Sequence, residues 1–297
     1  MGKADDLMHG AIDMHFHCFP ELSFDLPRRF TDEESARLMV KAGMRGVVLK
    51  SHFWPTTGLC YYLRQSIPEF ETFSSITLNC SVGGIKKWAI ESAIKQGAKG
   101  VWMPSWSAKN DIRRNGVIHL VRGYLPSLEK FSEDNGIAIT DENGKLFPEI
   151  VEILYLIKDY DVALFTSHIS ILESLALARE AKRIGFKKMI LNHPDSKSIG
   201  ASFEQIVEMA SLGAYVEICA LGLMPMYLRI TPQKLKEIIQ TVGASQCILT
   251  TDYAFAWSPS GPEILRLLIS SLLEAGVKDE EIVQMAQVNP KFLLNVK

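Results

Sequence analysis

Two histidines, His15 and His17, stand two residues apart near the N-terminus, in the apolar stretch AIDMHFH. Side chains at positions i and i+2 of a β-strand point to the same side of that strand. If this stretch forms a strand, both imidazoles can therefore bind one metal ion, because neutral imidazole nitrogen is a common ligand of divalent transition metals. The spacing predicts half of a metal site and leaves its other ligands to be found.

Further residues that bind metals or transfer protons follow short apolar runs later in the chain. They are Lys50 and His52 after GVVL, His168 in LFTSHIS, His193 in MILNHPD, Glu217 in AYVEICALG and Asp252 in ILTTDYAF. Five of the seven histidines are placed in this way, the exceptions being His9 and His119. Chance would rarely put so many residues of these types at such points.

Eight short, nearly continuous apolar runs alternate with segments of helical period, as is typical of strands buried on both faces of a parallel sheet. The runs are AIDMHFH, GVVLKSH, SSITLNCSV, GVWMPSW, VALFTSHIS, KMILNHPD, AYVEICALG and CILTTDYAF. The second connection, FWPTTGLCYYLRQSIPEFETF, predicts a loop with a short helix, and DEEIVQMAQVNPKFLLNV predicts an extra C-terminal helix. Eight βα units without a break favour an α/β fold of the (β/α)8 TIM-barrel class over an open doubly wound sheet.

One longer segment, from about residue 109 to 146, interrupts the alternation after the fourth strand. It contains a hairpin turn signal, Glu142–Asn143–Gly144. No separate apolar core is visible in it, so we expect an insertion within one barrel domain that spans residues 1–297. Catalytic groups of TIM barrels lie at the C-terminal ends of the strands, which is where the polar residues above are placed.

The composition disfavours several classes of function. With 32 basic and 34 acidic residues in 297, the formal net charge is -2, so no strong positive field would attract nucleic acid or an anionic membrane. Five scattered cysteines without a C-x-x-C pair indicate a reducing compartment. There is neither a signal-peptide core nor a long apolar run. We expect a cytoplasmic protein with a small-molecule substrate, and homo-oligomerisation stays open.

Five motifs together, IDMHFH, TSHIS, LNHPD, TTDYAF and VNPKFLL, resemble the metal-dependent amidohydrolase superfamily of TIM-barrel hydrolases. They follow the order of that family, with HxH on strand one, a histidine on each of strands five and six, and aspartate on strand eight. The resemblance implies that His15, His17 and Asp252 hold one metal ion. It implies a second ion on His168 and His193, a bridging hydroxide, and Asp252 as the general acid/base.

Strand four departs from the family pattern, because VWMPSW offers neither the carboxylated lysine nor the glutamate that usually bridges two metals there. Some related enzymes place this ligand on strand two, so the resemblance implies a carboxylated Lys50 that bridges the ions. An ammonium group has no lone pair and could not bind a metal. The competing interpretation is a single metal ion with Lys50 as a cationic substrate anchor. Trp102 would then fill the space on strand four.

His52 and Glu217 are predicted to contact substrate, His52 because it would face the same lumen as Lys50. Glu217 could instead be a partner that orients a histidine. The ligand set suits zinc, with manganese, iron or cobalt as alternatives, at one or two ions per chain. Aromatic residues near the strand ends indicate a substrate with an apolar or ring portion.

The resemblance implies a metal-dependent hydrolase in which metal-activated water attacks the C–N or C–O bond of an amide, ester or lactone. Two alternatives stay open. One is a one-metal decarboxylase of the same superfamily, which needs no bridging ligand. The other is a catalytically silent metal-binding barrel.

Overall fold

The protein forms a barrel of eight parallel strands, seen in a computed structural model that describes residues 2–26 and 28–297. The strands follow one another in chain order. They are β1 (Ile12–His17), β2 (Gly46–Lys50), β3 (Glu71–Thr77), β4 (Ala98–Trp102), β5 (Ala163–Phe165), β6 (Met189–Leu191), β7 (Tyr215–Cys219) and β8 (Cys247–Thr250). Each strand overlaps one of the eight apolar runs. The predicted (β/α)8 class is therefore confirmed.

The barrel closes where β8 meets β1. Tyr253 pairs with Phe16 in a parallel bridge. The backbone N–H of Asp252 donates to the carbonyl of His15, and that of His17 donates to the carbonyl of Tyr253, each at 2.9 Å. These bonds join the two ends of the sheet at the level of the HxH motif, and so bring Asp252 beside the two histidines.

Most of the helices lie around the outside of the barrel. The helices are α1 (Lys3–Met8), α2 (Asp32–Lys41), α3 (Thr57–Ser66), α4 (Lys87–Lys95), α5 (Lys109–Arg114), α6 (Ile118–Tyr124), α7 (Pro148–Asp159), α8 (Ile171–Ile184), α9 (Phe203–Ser211), α10 (Pro232–Val242), α11 (Gly261–Glu274), α12 (Asp279–Val283) and α13 (Asn289–Leu294). A π-helical turn, Gln284–Val288, joins α12 to α13, so the C-terminal helix is present. No helix within the described ranges has the length and apolar character needed to cross a membrane.

Hydroxyl groups at the starts of four helices explain where those helices begin. The side chain of the capping residue accepts a hydrogen bond from the backbone N–H three residues later, at Thr31, Ser170, Ser202 and Thr231. Such a bond satisfies one of the free N–H groups of the first turn. The connections are thereby held in place beside the ends of the strands.

An inner apolar layer fills the lumen of the barrel below the strand ends. Trp102 stacks on Phe165 with ring centroids 3.7 Å apart, and both side chains are fully buried. Ile12, Met14 and Val48 belong to the same cluster. Because this layer occupies the lumen, polar side chains of the strand ends lie above it, toward the mouth.

Residues 109–146 lie across one side of the mouth. They contain α5, α6 and a turn in which the N–H of Gly144 donates to the carbonyl of Asp141 at 3.0 Å. Thr140 and Leu146 pair in an antiparallel bridge around that turn. The predicted turn is therefore present. Part of α6 packs against Trp106 in a small apolar cluster.

Candidate metal centre

Side chains from the strand ends meet in one cavity of about 640 Å³. Its floor is lined by His17, Lys50, His52, His168, His193 and Asp252. His15 lies directly below, fully buried, with its Nε2 3.0 Å from Lys50 Nζ and 3.1 Å from Asp252 Oδ1. The structure thus brings seven of the eight predicted site residues together. The eighth, Glu217, lies behind His15.

Three of these histidines bond through Nδ1 to a buried carboxylate. The pairs are His15 with Glu217 Oε1 (2.8 Å), His17 with Glu21 Oε1 (2.7 Å) and His168 with Asp111 Oδ1 (2.7 Å). An ionised carboxylate only accepts hydrogen bonds, so the neutral imidazole of His168 keeps its proton on Nδ1. His15 and His17 also have Nε2 beside Asp252, and a cation bound through Nε2 requires the same tautomer in them. The lone pair then lies on Nε2, the arrangement by which proteins orient histidine ligands of metals.

Three groups of side chains among residues 2–26 and 28–297 are close enough to share a cation. They are His15–His17–Asp252, His15–His193–Glu217 and His17–Glu21–His52. In the first, the two Nε2 atoms lie 3.1 and 3.0 Å from Asp252 Oδ1, and neighbouring ligands of tetrahedral zinc are about 3.3 Å apart. The first group therefore fits a divalent transition metal in both donor type and spacing.

The other two groups use carboxylates that already accept hydrogen bonds from protein. Both oxygens of Glu217 do so, as does the oxygen of Glu21 nearest the histidines. His168 belongs to none of the three groups, and its ring centroid lies 5.0 Å from that of His193. A second metal ion on His168 and His193 therefore stays a prediction.

Glu217 makes contacts that differ from those expected of a substrate-binding residue. Its Oε1 accepts from Thr250 Oγ1 at 2.9 Å in addition to His15, and its Oε2 accepts from the backbone N–H of His193 and from Asn192 Nδ2. It does not line the cavity. These contacts fit the alternative role, that of holding histidines in place. Burial raises its pKa, against the attraction of His193.

Lys50 is buried between the cavity and the apolar layer. Its Nζ lies 4.4 Å from the ring centre of Trp102, in addition to its contact with His15. Burial lowers the pKa of Lys50 despite the attraction of Asp252 and other nearby carboxylates. A lowered pKa favours the neutral amine, the form that can bind a metal or be carboxylated. Trp102 occupies the end of β4, the position at which the sequence offers no bridging ligand.

Asp252 is a carboxylate that stays ionised despite its burial. Burial alone would raise its pKa, but the histidines beside it, His15 and His17 first among them, outweigh this and hold the pKa well below its ordinary value. Burial also lowers the pKa values of His15 and His193 well below the ordinary value. The site therefore combines neutral imidazoles with a carboxylate, as a metal centre requires.

Backbone strain concentrates at three of the strand ends that supply the site. Ser167, His193 and Asp252 have φ values of 51°, 23° and 50°. Non-glycine residues rarely adopt this left-handed region, at a cost of order 1–3 kcal/mol each. Such strain is tolerated where surrounding contacts fix the conformation and is common at functional sites.

Two residues of this site were not predicted from the sequence. Glu21 lies in the loop after β1, and Asp111 lies on α5 in the insertion. Asp111 also accepts from Ser198 Oγ at 2.9 Å and from the backbone N–H of Ile118 at 2.9 Å. The spacing of four residues between His17 and Glu21 is the only local hint, and Asp111 has none.

The upper wall of the cavity is largely apolar. Tyr227 stacks on Phe255 with centroids 5.6 Å apart, and both rings line the cavity. Leu22, Val117 and Leu120 face it from the loop after β1 and from the insertion. Polar floor and apolar wall together suit a small molecule with a polar reacting group and an apolar portion.

A sequence model of a family of unknown function, DUF6282, matches residues 10–217. The chain belongs to this family. The match takes in the site residues from His15 to Glu217, while Asp252 lies beyond it. No curated protein matches the chain in sequence.

Solved structures share the fold of this DUF6282 protein at low identity. An amidohydrolase from Pseudomonas aeruginosa aligns with a TM-score of 0.67 at 12% identity over 98% of both chains. The probable dipeptidase PvdM from the same organism aligns at 0.66 and 12%, over 98% of this chain and 97% of its own. A 2,6-dihydroxybenzoate decarboxylase from Rhizobium aligns at 0.60 and 11%, over 97% and 99%. The DUF6282 chain thus shares its barrel fold with proteins described as an amidohydrolase, a probable dipeptidase and a decarboxylase.

Proposed function

We propose that this DUF6282 protein is a metal-dependent hydrolase of amidohydrolase type that cleaves an amide, ester or lactone of a small molecule. The supporting observation is the His15–His17–Asp252 group, whose three ligand atoms converge at the floor of the cavity. A divalent cation, zinc in the first place, is the proposed cofactor. When bound, it supplies Lewis acidity for a carbonyl group and lowers the pKa of water.

Asp252 is the proposed general acid/base. Its Oδ1 lies beside Nε2 of His15 and of His17, which leaves the other oxygen for proton transfer. A carboxylate with a lowered pKa is ionised at neutral pH, so it can take a proton from attacking water. Because Asp252 lines the cavity, the same group can then return that proton to the leaving nitrogen or oxygen.

Lys50 and His52, at the end of β2, are the remaining residues of the proposed active site. The contact of Lys50 Nζ with His15 Nε2 supports a place for Lys50 beside the metal ligands, and in a carboxylated form Lys50 would help to hold a second ion. His52 lines the cavity and is proposed to bind an oxygen of the substrate.

The first experiment measures metal content per chain on protein purified without chelators and with ¹³C-bicarbonate present. We expect close to two equivalents of metal and a ¹³C carbamate signal that the Lys50→Met variant lacks. Failure to bind any metal would refute the proposal.

Turnover is then screened on amides, esters and lactones with apolar or ring portions. Asp252→Asn keeps an oxygen that can bind the cation but cannot transfer a proton, so at saturating metal it should lose at least about 100-fold in kcat. Asp195→Asn is the matched control, because Asp195 is a half-buried aspartate that pairs with Arg229 at 3.1 Å and belongs to none of the three groups that could share a cation. Full activity of Asp252→Asn would refute the role of Asp252.

A one-metal decarboxylase is the second candidate, favoured by the single cation group that fits among the described residues. Lys50 would then be an ammonium that anchors a substrate carboxylate. One equivalent of metal without a carbamate signal, together with release of CO2 from aromatic or heterocyclic acids, would favour it. Metal binding with no turnover in any class would instead indicate a silent barrel.

A further inference from the structure

His52 differs from the other strand-end histidines in the partner of its Nδ1 atom. That atom lies 2.7 Å from Ser105 Oγ, and both side chains are buried. A hydroxyl group can donate or accept a hydrogen bond, whereas a carboxylate can only accept one. The position of the proton on His52 therefore depends on what else Ser105 contacts.

Asn79 determines the role of Ser105. Its Oδ1 lies 2.8 Å from the backbone N–H of Ser105 and 3.3 Å from that of Ser107, and it also accepts from Ser107 Oγ. Because backbone N–H groups only donate, the amide oxygen must lie on that side. The Nδ2 group therefore lies on the other side, where it donates to the carbonyl of His52 at 2.9 Å and to Ser105 Oγ at 2.7 Å.

Ser105 thus accepts a hydrogen bond from Asn79 and still has one hydroxyl hydrogen to donate. Among the described residues, His52 Nδ1 is the acceptor that lies within hydrogen-bond distance of that hydroxyl. If Nδ1 carried the proton instead, the buried hydroxyl hydrogen would be left without a partner, which is destabilising. Nδ1 is therefore the acceptor, and a neutral imidazole then carries its proton on Nε2.

Glu21 points to the same assignment independently. Its Oε1 lies 3.5 Å from His52 Nε2 and accepts from His17 Nδ1 and from the backbone N–H of His52. A lone pair on Nε2 would be repelled by this carboxylate, whereas an N–H group is attracted to it.

We propose that His52 is held as the Nε2–H tautomer by Asn79 and Ser105, and that it donates a hydrogen bond from Nε2 to an oxygen of the substrate. His168 has the opposite tautomer, as have His15 and His17 when a cation is bound through Nε2. His52 is then excluded as a metal ligand through Nε2, so the group with His17 and Glu21 does not hold a cation. Asn79 and Ser105 act as positioning residues.

The donor role rests on the proposed hydrolase function, whereas the tautomer does not. A donor aimed at the oxygen on which negative charge develops stabilises the transition state more than the bound substrate. Loss of the tautomer should therefore lower kcat more than it raises KM.

Nitrogen NMR on the full chain labelled with ¹⁵N-histidine tests the tautomer directly, in the metal-free and zinc-loaded protein. His52→Gln assigns the signals by removing them. We expect an Nε2 signal of the protonated type and an Nδ1 signal of the lone-pair type. A protonated Nδ1 on His52 would overturn the proposal.

Two matched serine variants test the relay from Asn79. Ser105→Ala removes the donor to His52, and we expect the Nδ1-protonated form to become populated. Ser107→Ala removes a buried hydroxyl that also contacts Asn79 but not His52, and we expect the wild-type pattern. Identical patterns in both variants would overturn the role of Ser105.

Once a substrate has been identified, Ser105→Ala should lower kcat about 10-fold or more and change KM less than about 3-fold. Ser107→Ala should stay within about 2-fold of wild type in both. If wild-type His52 has the Nε2–H tautomer but Ser105→Ala has an unchanged kcat, the role of His52 as a donor to the substrate would be overturned and the tautomer would stand. Wild-type protein without turnover would refute the proposed function and leave the NMR result standing.

Discussion

Replacing Glu217 with glutamine should weaken metal binding although Glu217 itself is not a proposed ligand. Its two oxygens accept hydrogen bonds from four donors, which include His15 Nδ1 and the backbone N–H of His193. A glutamine must turn its NH2 group toward one pair of these donors. Either His15 or His193 then loses the partner that holds it, and His15 can change tautomer.

The expected magnitude follows from these contacts. A hydrogen bond to a charged group contributes about 1.5–3 kcal/mol, and loss of the partner of a ligating histidine typically lowers metal affinity 10- to 100-fold. This range corresponds to about 1.4–2.7 kcal/mol. Because burial raises the pKa of Glu217, removal of its charge also removes a desolvation cost. We therefore expect the metal-free protein to be destabilised less than the metal complex.

Competition against a chromophoric chelator measures the affinity of Glu217→Gln for zinc, with circular dichroism as the check on folding. Thr250→Val is the matched control, because it removes one donor to the same oxygen at 2.9 Å and keeps the carboxylate on His15. We expect the control to stay within about 3-fold of wild type. A Glu217→Gln variant with wild-type affinity, or a control with an equal loss, would refute the reasoning.

Three further predictions concern stability, each measured as the free energy of unfolding in urea. Asp111→Asn should lose about 1–3 kcal/mol, because an amide cannot replace the carboxylate that holds His168 and the start of α6; an unchanged midpoint would contradict this. Trp102→Ala should lose about 3–5 kcal/mol, since the side chain is fully buried, and a loss below about 1 kcal/mol would show that it is not part of the packed floor. Burial raises the pKa of Asp32 to about 6, from 3.8, against the attraction of Arg28. Between pH 3.8 and about pH 6 the native state therefore binds more protons than the unfolded state. The contribution of Asp32 to the free energy of unfolding consequently falls as the pH rises through this range. Relative to wild type, Asp32→Asn should therefore gain about 2.4 kcal/mol between pH 4 and pH 7, and a pH-independent difference would contradict the assignment.

The fold could be predicted because burial on both faces makes each strand an apolar run that few other structures share. The second connection was less well predicted: α3 is a regular helix of ten residues, not a short one in a loop. Only Cys60 and Leu63 of that helix are buried, and Tyr61 and Tyr62 are exposed. Its sequence therefore shows no clear apolar face.

The site could be predicted only in part, for a related reason. His15, His17 and Asp252 stand at the ends of strands, and the barrel topology alone brings such positions together. Glu21 and Asp111 reach the site from a loop and from the insertion, so their roles depend on tertiary contacts that no local pattern encodes. The direction of the hydrogen bonds from Asn79 through Ser105 to His52 likewise requires atomic positions.

The position of the His15–His17–Asp252 group at the junction of β1 and β8 has a consequence for how the chain opens. His17 and Asp252 are 235 residues apart in sequence, so a cation held between them cross-links the two ends of the barrel. Neither terminal strand could then peel away while the cation stayed bound. Removal of metal should therefore speed hydrogen exchange and proteolysis first at the first and last strands, and the segments between them should become exposed only afterwards.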